Sequence, residues 1–206
     1  METHTCWQCE APAEDNLFCT HCNGLQRPTP DYFKFFGIPT KLAIDPDDLQ
    51  QRFYTMSRLL HPDRFTRRSE RERQHSLEAT AILNDGYRVL RDPVARAEYI
   101  LKEKGFNIGE QRTKDVPPEL LEEVFELNMA LEELRGGDTT VRPQLESARK
   151  NFLAMRDGID GELQGQFASY DASGDESVLQ RIRSALNRRN YIRNLVSEVE
   201  KELAKA

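Results

Sequence analysis

The sequence predicts an all-α protein with a small metal-binding module at its N-terminus. Two observations carry this. All four cysteines of the 206-residue chain fall within its first 22 residues, as Cys6-Trp7-Gln8-Cys9 and Cys19-Thr20-His21-Cys22. From Asp45 onward, apolar residues recur at helical steps of three and four between Pro, Gly and Asp start and stop signals. A third observation bounds the class: no run of about 18 apolar residues occurs, so no membrane-spanning helix is expected. The N-terminal residues lack the basic and apolar regions of a secretory signal. A cytoplasmic location is therefore expected, or the mitochondrial matrix if a presequence has been removed.

Net charge is −6, which argues against a general nucleic-acid binder. The charge is unevenly spread. Residues 51–75 carry seven Arg against three acids, whereas residues 115–135 carry seven acids against one Arg. Two stretches of opposite sign point to two different partners.

The two C-x-x-C pairs, separated by nine residues, form a strong metal signal: each knuckle turn converges two thiolates on one ion, and two knuckles complete a tetrahedron. Zinc is the expected occupant of Cys6, Cys9, Cys19 and Cys22, with iron the alternative, since thiolates alone do not distinguish the two. Disulfides are disfavoured in a reducing compartment, and no βαβ pattern follows either pair as a thioredoxin-like site requires. Residues 1–27 have too few apolar side chains for a core, so metal binding should fold them. His4 and His21 lie close enough in sequence to substitute for a thiolate, but four cysteines already saturate the ion. A second copy of the chain, forming a homodimer through this module, is one partner it could take.

After a Pro-containing linker, Asp31-Tyr32-Phe33-Lys34-Phe35-Phe36-Gly37 suits a short helix whose rings pack on the elements after it. Asp45-Pro46-Asp47-Asp48 opens the next helix, with Asp45 as N-cap and Pro46 at the first helical position. Its stripe is Leu49, Phe53, Met56 and Leu60, and Arg52 and Arg58 lie off it on the solvent side. Pro62 should end this helix at or just before His61. A second long helix is expected from Ser69 or Glu70 to about Arg91, with Ala79, Leu83, Tyr87 and Leu90 on one face, then a shorter one from Val94 to Lys104. Two such helices joined by a loop pack antiparallel. His61-Pro62-Asp63 then sits at the tip of a helical hairpin. Taken alone, that tripeptide reads as a helix stop, and its surroundings decide whether it is more.

Asn107–Pro118 reads as a second linker. The next helix has two apolar rows. Leu120, Val124, Leu127, Leu131 and Leu134 make a core face. Leu121, Phe125 and Met129 form a second row, bordered by Glu122, Glu126 and Glu133. That row either widens the core face or is an exposed patch rimmed with acids, as partner sites are. Gly136-Gly137 ends the helix. Val141, Leu145, Ala148, Phe152, Met155 and Ile159 mark the following one, whose end is blurred by Gly158, Gly161 and Gly165. Ser173 or Asp175 opens a last helix with Val178, Ile182, Ala185, Ile192, Val196, Val199 and Leu203 as its core row, interrupted by Arg189. Tyr191 and Leu195 fall off that row and would extend the patch if packing brings them beside Leu121 and Phe125. Three such helices make an antiparallel bundle.

In consecutive order, Asp31-Tyr32-Phe33, His61-Pro62-Asp63-Arg64-Phe65 and Leu83-Asn84-Asp85-Gly86-Tyr87-Arg88-Val89-Leu90-Arg91-Asp92-Pro93 resemble a J-domain. Arg96-Ala97-Glu98-Tyr99-Ile100-Leu101 sharpens the resemblance to the J-type co-chaperones of iron-sulfur cluster assembly, the HscB-like family. The expected layout is a zinc-binding module over 1–27, a J-domain over 28–107 and a client-binding bundle over 115–206. The resemblance implies that His61, Pro62 and Asp63 dock on a DnaK-like heat-shock ATPase and stimulate it. The basic face of Arg52 and Arg58, with Arg64 at its edge, would meet an acidic surface of that ATPase. It also implies that an iron-sulfur scaffold protein binds through Leu121, Phe125, Glu126, Glu133 and Tyr191, on the row that Met129 continues. Two positions depart from the family pattern: Glu122 stands where an apolar residue is usual, and Met129 where an acid is usual. No chemistry is expected on the chain itself, because no nucleophile accompanies His61 and Asp63. The competing readings are a generalist J-protein for unfolded clients and a thiol enzyme using the cysteines.

Overall fold

The computed structural model describes residues 4–13, 16–106 and 117–205. Most of the expected second linker therefore lies outside the described residues. Among these residues the protein is helical apart from two-residue strands, β1 (His4–Thr5) and β2 (Pro12–Ala13), paired antiparallel in the cysteine module. The helices are α1 (Tyr32–Phe36), α2 (Pro46–Leu60), α3 (Glu70–Arg91), α4 (Pro93–Glu103), α5 (Leu121–Arg135), α6 (Arg142–Ser173) and α7 (Glu176–Leu203). They form two compact units, Met1–Arg96 and Ala97–Ala206. The division falls inside α4. None of the described helices is long and apolar enough to cross a membrane.

In the first unit, α2 and α3 form the expected hairpin. Asp45 caps α2 by accepting from the amides of Asp47 and Asp48, and the helix ends at Leu60 with His61 as its C-cap. Ser69 and Glu72 form a reciprocal capping box at the start of α3. The α2 stripe is anchored at its ends by buried Leu49 and Leu60. Between them, half-buried Phe53 stacks on Tyr87 of α3, 4.3 Å between ring centres. The aromatic helix α1 lies against α3 at Gly86, where a Cβ would come within 3.0 Å of the Phe36 and Tyr32 rings. A side chain there would push α1 away. Buried Arg96 ties the end of the unit together by donating to the carbonyls of Leu42, at 2.8 Å, and Leu90.

In the second unit, α5, α6 and α7 make the three-helix bundle. Arg149 with Glu200, Arg188 with Glu162 and Arg189 with Asp160 set the antiparallel register of α6 and α7. Arg189, an interruption in the sequence pattern, is thus a register mark. Partly exposed pairs of this kind contribute only about 0.2–1 kcal/mol each. The larger contribution comes from the buried rows Leu145, Phe152, Ile159, Leu163 and Phe167 on α6 and Val178, Leu179, Ile182, Leu186 and Ile192 on α7. That row is why α6 runs unbroken through three glycines to Ser173: a Cβ at Gly158, Gly161 or Gly165 would meet nothing within 4 Å, so all three lie on its open side. Gly174, at φ 67°, ends the helix and Asp175 caps α7.

Candidate functional site

Three features are candidates, and each is presented by a different part of the chain. The first is the four-cysteine cluster. Its two knuckles are near copies: in each, the residue after the second cysteine turns into the left-handed region, Glu10 at φ 58° and Asn23 at φ 56°. The amides of Glu10 and Asn23 donate back to the carbonyls of Cys6 and Cys19. The amides of Gln8 and His21 donate to the Cys6 and Cys19 sulfurs at 3.4 Å. All four Sγ atoms lie within 4.8 Å of one another. Cys6 and Cys22 are 3.7 Å apart and Cys9 and Cys19 3.8 Å, close to the ~3.8 Å edge of a tetrahedron with metal–sulfur bonds of about 2.3 Å. These distances are far beyond the ~2.05 Å of a disulfide.

Electrostatics points the same way. Burial acts to raise the Cys6 thiol, but the backbone groups of Gln8 and Cys9 and the neighbouring thiols bring it down to about 6. At Cys22 the Gly24 backbone acts to lower the thiol, yet burial and the other three cysteines push it up to about 12. Four sulfurs this close compete for negative charge, and a bound cation removes that conflict. The donor set and geometry fit a single closed, four-coordinate metal ion. The ring of His4 lies outside the described residues. His21 is exposed, and its amide is what reaches the cluster.

The second feature is the loop between α2 and α3. Pro62–Phe65 forms one 3-10 turn, pinned from below by buried Phe65. The side chains of His61 and Asp63 are 57% and 85% exposed. The Asp63 amide lies 3.3 Å from His61 Nδ1, and the Asp63 carboxylate lies 3.5 Å from the same nitrogen. Arg64 and Arg58 are exposed. Arg52 is partly committed: it donates to the Asp48 carboxylate at 2.8 Å and, more weakly, to the carbonyls of Phe36 and Gly37.

The third feature is the outer row of α5. Leu121, Phe125 and Met129 are 56%, 66% and 50% exposed, whereas Leu120, Val124, Leu127 and Leu131 are buried. The second row is therefore a surface patch and not a wider core. Glu122, Glu126 and Glu133 are exposed beside it. Arg135 pairs with Glu198 and Glu202, which ties the end of α5 to the last turns of α7. On α7, Tyr191 is half-buried. Burial and the charge of Glu198 hold its phenol above the usual range. Leu195 does not extend the patch. It is only 7% exposed, because α7 must bury one face against α6 and another against α5.

Comparison with known proteins brings these features together. Residues 116–200 match the family described as the HSCB C-terminal oligomerisation domain. The co-chaperone protein HscB homolog of Aliivibrio salmonicida is 34% identical over 172 residues, covering 83% of this chain and 95% of its own length. The chain belongs to the HscB family of co-chaperones. The mouse iron-sulfur cluster co-chaperone protein HscB is 29% identical over 86% of this chain and 76% of its own. The crystal structure of human HscB superposes with a TM-score of 0.70 at 26% identity, covering 98% of this chain and 100% of that one.

For this HscB-family chain, one group of residues escaped the sequence reading: those that hold the cysteine module against α3. The carbonyl of Leu25, whose side chain is fully buried, accepts from Trp7 Nε1 at 2.9 Å and faces His75 Nδ1 at 3.1 Å. The Trp7 and His75 rings meet edge to face, 6.0 Å apart, and the Arg71 guanidinium lies 4.9 Å over the Trp7 ring. The only available signal was a tryptophan, large and apolar, inside a segment with no core to hide it.

Proposed function

We propose that the protein is an adaptor and not an enzyme, with residues 1–27 as a structural zinc module, 28–107 as a J-domain and 115–206 as a client-binding bundle. In this reading, His61, Pro62 and Asp63 engage a DnaK-like ATPase and stimulate ATP hydrolysis. Arg58, Arg64 and the free edge of Arg52 orient the encounter. Rim charges of this kind speed and steer association, while a rigid tip makes the contacts that differ between the ATPase's conformations. Leu121, Phe125 and Met129 seat an iron-sulfur cluster scaffold, with Glu126, Glu133 and Tyr191 at the margin, so that the scaffold is delivered to the ATPase and cluster biogenesis is supported.

The observation that carries this reading is the exposed apolar row on α5, since a rigid helix that leaves three large apolar side chains in water while burying its other face is built to receive a partner. A generalist holder of unfolded chains needs a broader and more adaptable surface. The test is simultaneous capture. Immobilised protein should retain scaffold and ATPase together, each without displacing the other. Mutual exclusion would contradict delivery. For the module, elemental analysis should return one zinc per chain, and iron in its place would overturn that assignment.

A further inference from the structure

The cysteine module and the His61 loop are gripped by adjacent residues of α3. His75 faces the carbonyl of Leu25 in the module, and the next residue, Ser76, donates its hydroxyl to the carbonyl of Leu60 at 2.7 Å. Thr80, one turn on, reaches the same carbonyl at 3.3 Å. Leu60 is the last residue of α2 and immediately precedes His61. His75 and Ser76 are both buried, at 7% and 0% exposure, which is unusual for polar residues in the first two turns of a helix. Their burial is accounted for by what they hold: a folded metal knuckle on one side and the base of the loop on the other.

We propose that the metal module braces the His61-Pro62-Asp63 loop, with His75 receiving the module and Ser76 holding the loop as positioning residues. The steps are mechanical. Among the described residues, the module buries no large apolar side chain but Leu25 beside its cysteines, so without metal it loses its shape. The Leu25 carbonyl and the Trp7 ring then leave His75, and the first turns of α3 are held only by the Ser69–Glu72 capping box and the hydroxyl bonds of Ser76 and Thr80 to Leu60, among the contacts described above. A turn held at fewer points opens more often. When it opens, Ser76 releases Leu60 and the loop beyond it. In its functional half the proposal rests on the proposed engagement of an ATPase by this loop.

The experiment is amide hydrogen exchange on the full chain reconstituted with zinc(II), compared with the same protein after chelation and with a zinc-loaded Trp7→Ala variant. Exchange over residues 61–76 should rise roughly tenfold in both, the effect of losing about one buried hydrogen bond's worth of stability. The Leu83–Leu90 segment and the α5–α7 bundle should be unchanged. His75→Leu should act like Trp7→Ala. His75→Asn, whose amide nitrogen lies where Nδ1 does, should restore protection. Unchanged exchange in the loop, or a rise spread evenly over the whole first unit, overturns the brace. With the DnaK-like ATPase, the Trp7→Ala variant should need more protein for half-maximal stimulation at an unaltered maximum, and an unaltered half-maximal concentration overturns the functional half. If the unmodified zinc-loaded protein itself gives no stimulation, the reading of the loop has failed, while the exchange result still decides the brace.

Discussion

Replacing Leu121 and Phe125 together by alanine is expected to weaken scaffold binding by a hundredfold or more while leaving the fold intact. Both side chains stand more than half exposed in the free protein, so their removal costs the folded state little. On binding, each would pass from water to an apolar contact, a transfer of roughly 1.5–2 kcal/mol per large side chain, and neighbouring anchors of this type dominate protein interfaces. The sum of about 3 kcal/mol gives the expected factor. Calorimetric titration with the scaffold, alongside a thermal melt, separates the two effects. A useful contrast is Leu131→Ala on the same helix. Leu131 is fully buried, and its truncation should cost ~2–5 kcal/mol of stability. Unchanged scaffold affinity in the double variant would sink the client half of the account.

Much of the fold was legible because its boundaries are written in local chemistry. Asp45-Pro46, Ser69 with Glu72, Asp92-Pro93 and Asp175 each satisfy helix amides with a side chain a few residues away, and such signals need no knowledge of the rest of the chain. The continuation of α6 past Gly158 is of another kind. Local propensity argues against it, and the burial of Ile159, Leu163 and Phe167 against α7 outweighs that propensity. Likewise Leu195 was misplaced because a single helical row was assigned to a helix with two neighbours.

For the candidate site the same division holds. The cysteine spacing and the His61-Pro62-Asp63 tip are contiguous motifs, and they could be read directly. The α5 patch could be read only as a pair of alternatives, since a helix with two apolar rows does not say which one faces water. The docking of Trp7 and Leu25 on Arg71 and His75 joins positions about 50 to 70 residues apart, and no periodicity encodes such a contact. It becomes visible only in the folded chain, where Leu25 is fully buried and its carbonyl meets His75.

The loop itself carries the central claim, and His61→Gln is the substitution that isolates it. The Asp63 amide then loses its Nδ1 acceptor, now at 3.3 Å, but it lies in an exposed turn where water can take the place of that weak bond. What disappears is the flat ring itself, on a side chain more than half exposed to a partner. Coupling between a docked tip and an ATPase conformation is typically worth about 1–3 kcal/mol, so losing the tip's contacts should return hydrolysis to near the chaperone's basal rate. The decisive measurement is steady-state ATP hydrolysis by the cognate DnaK-like chaperone at saturating protein. Stimulation by the unaltered chain, with a loss of about tenfold or more in His61→Gln at unchanged helicity, is the predicted result. Equal stimulation by the two proteins would contradict the account.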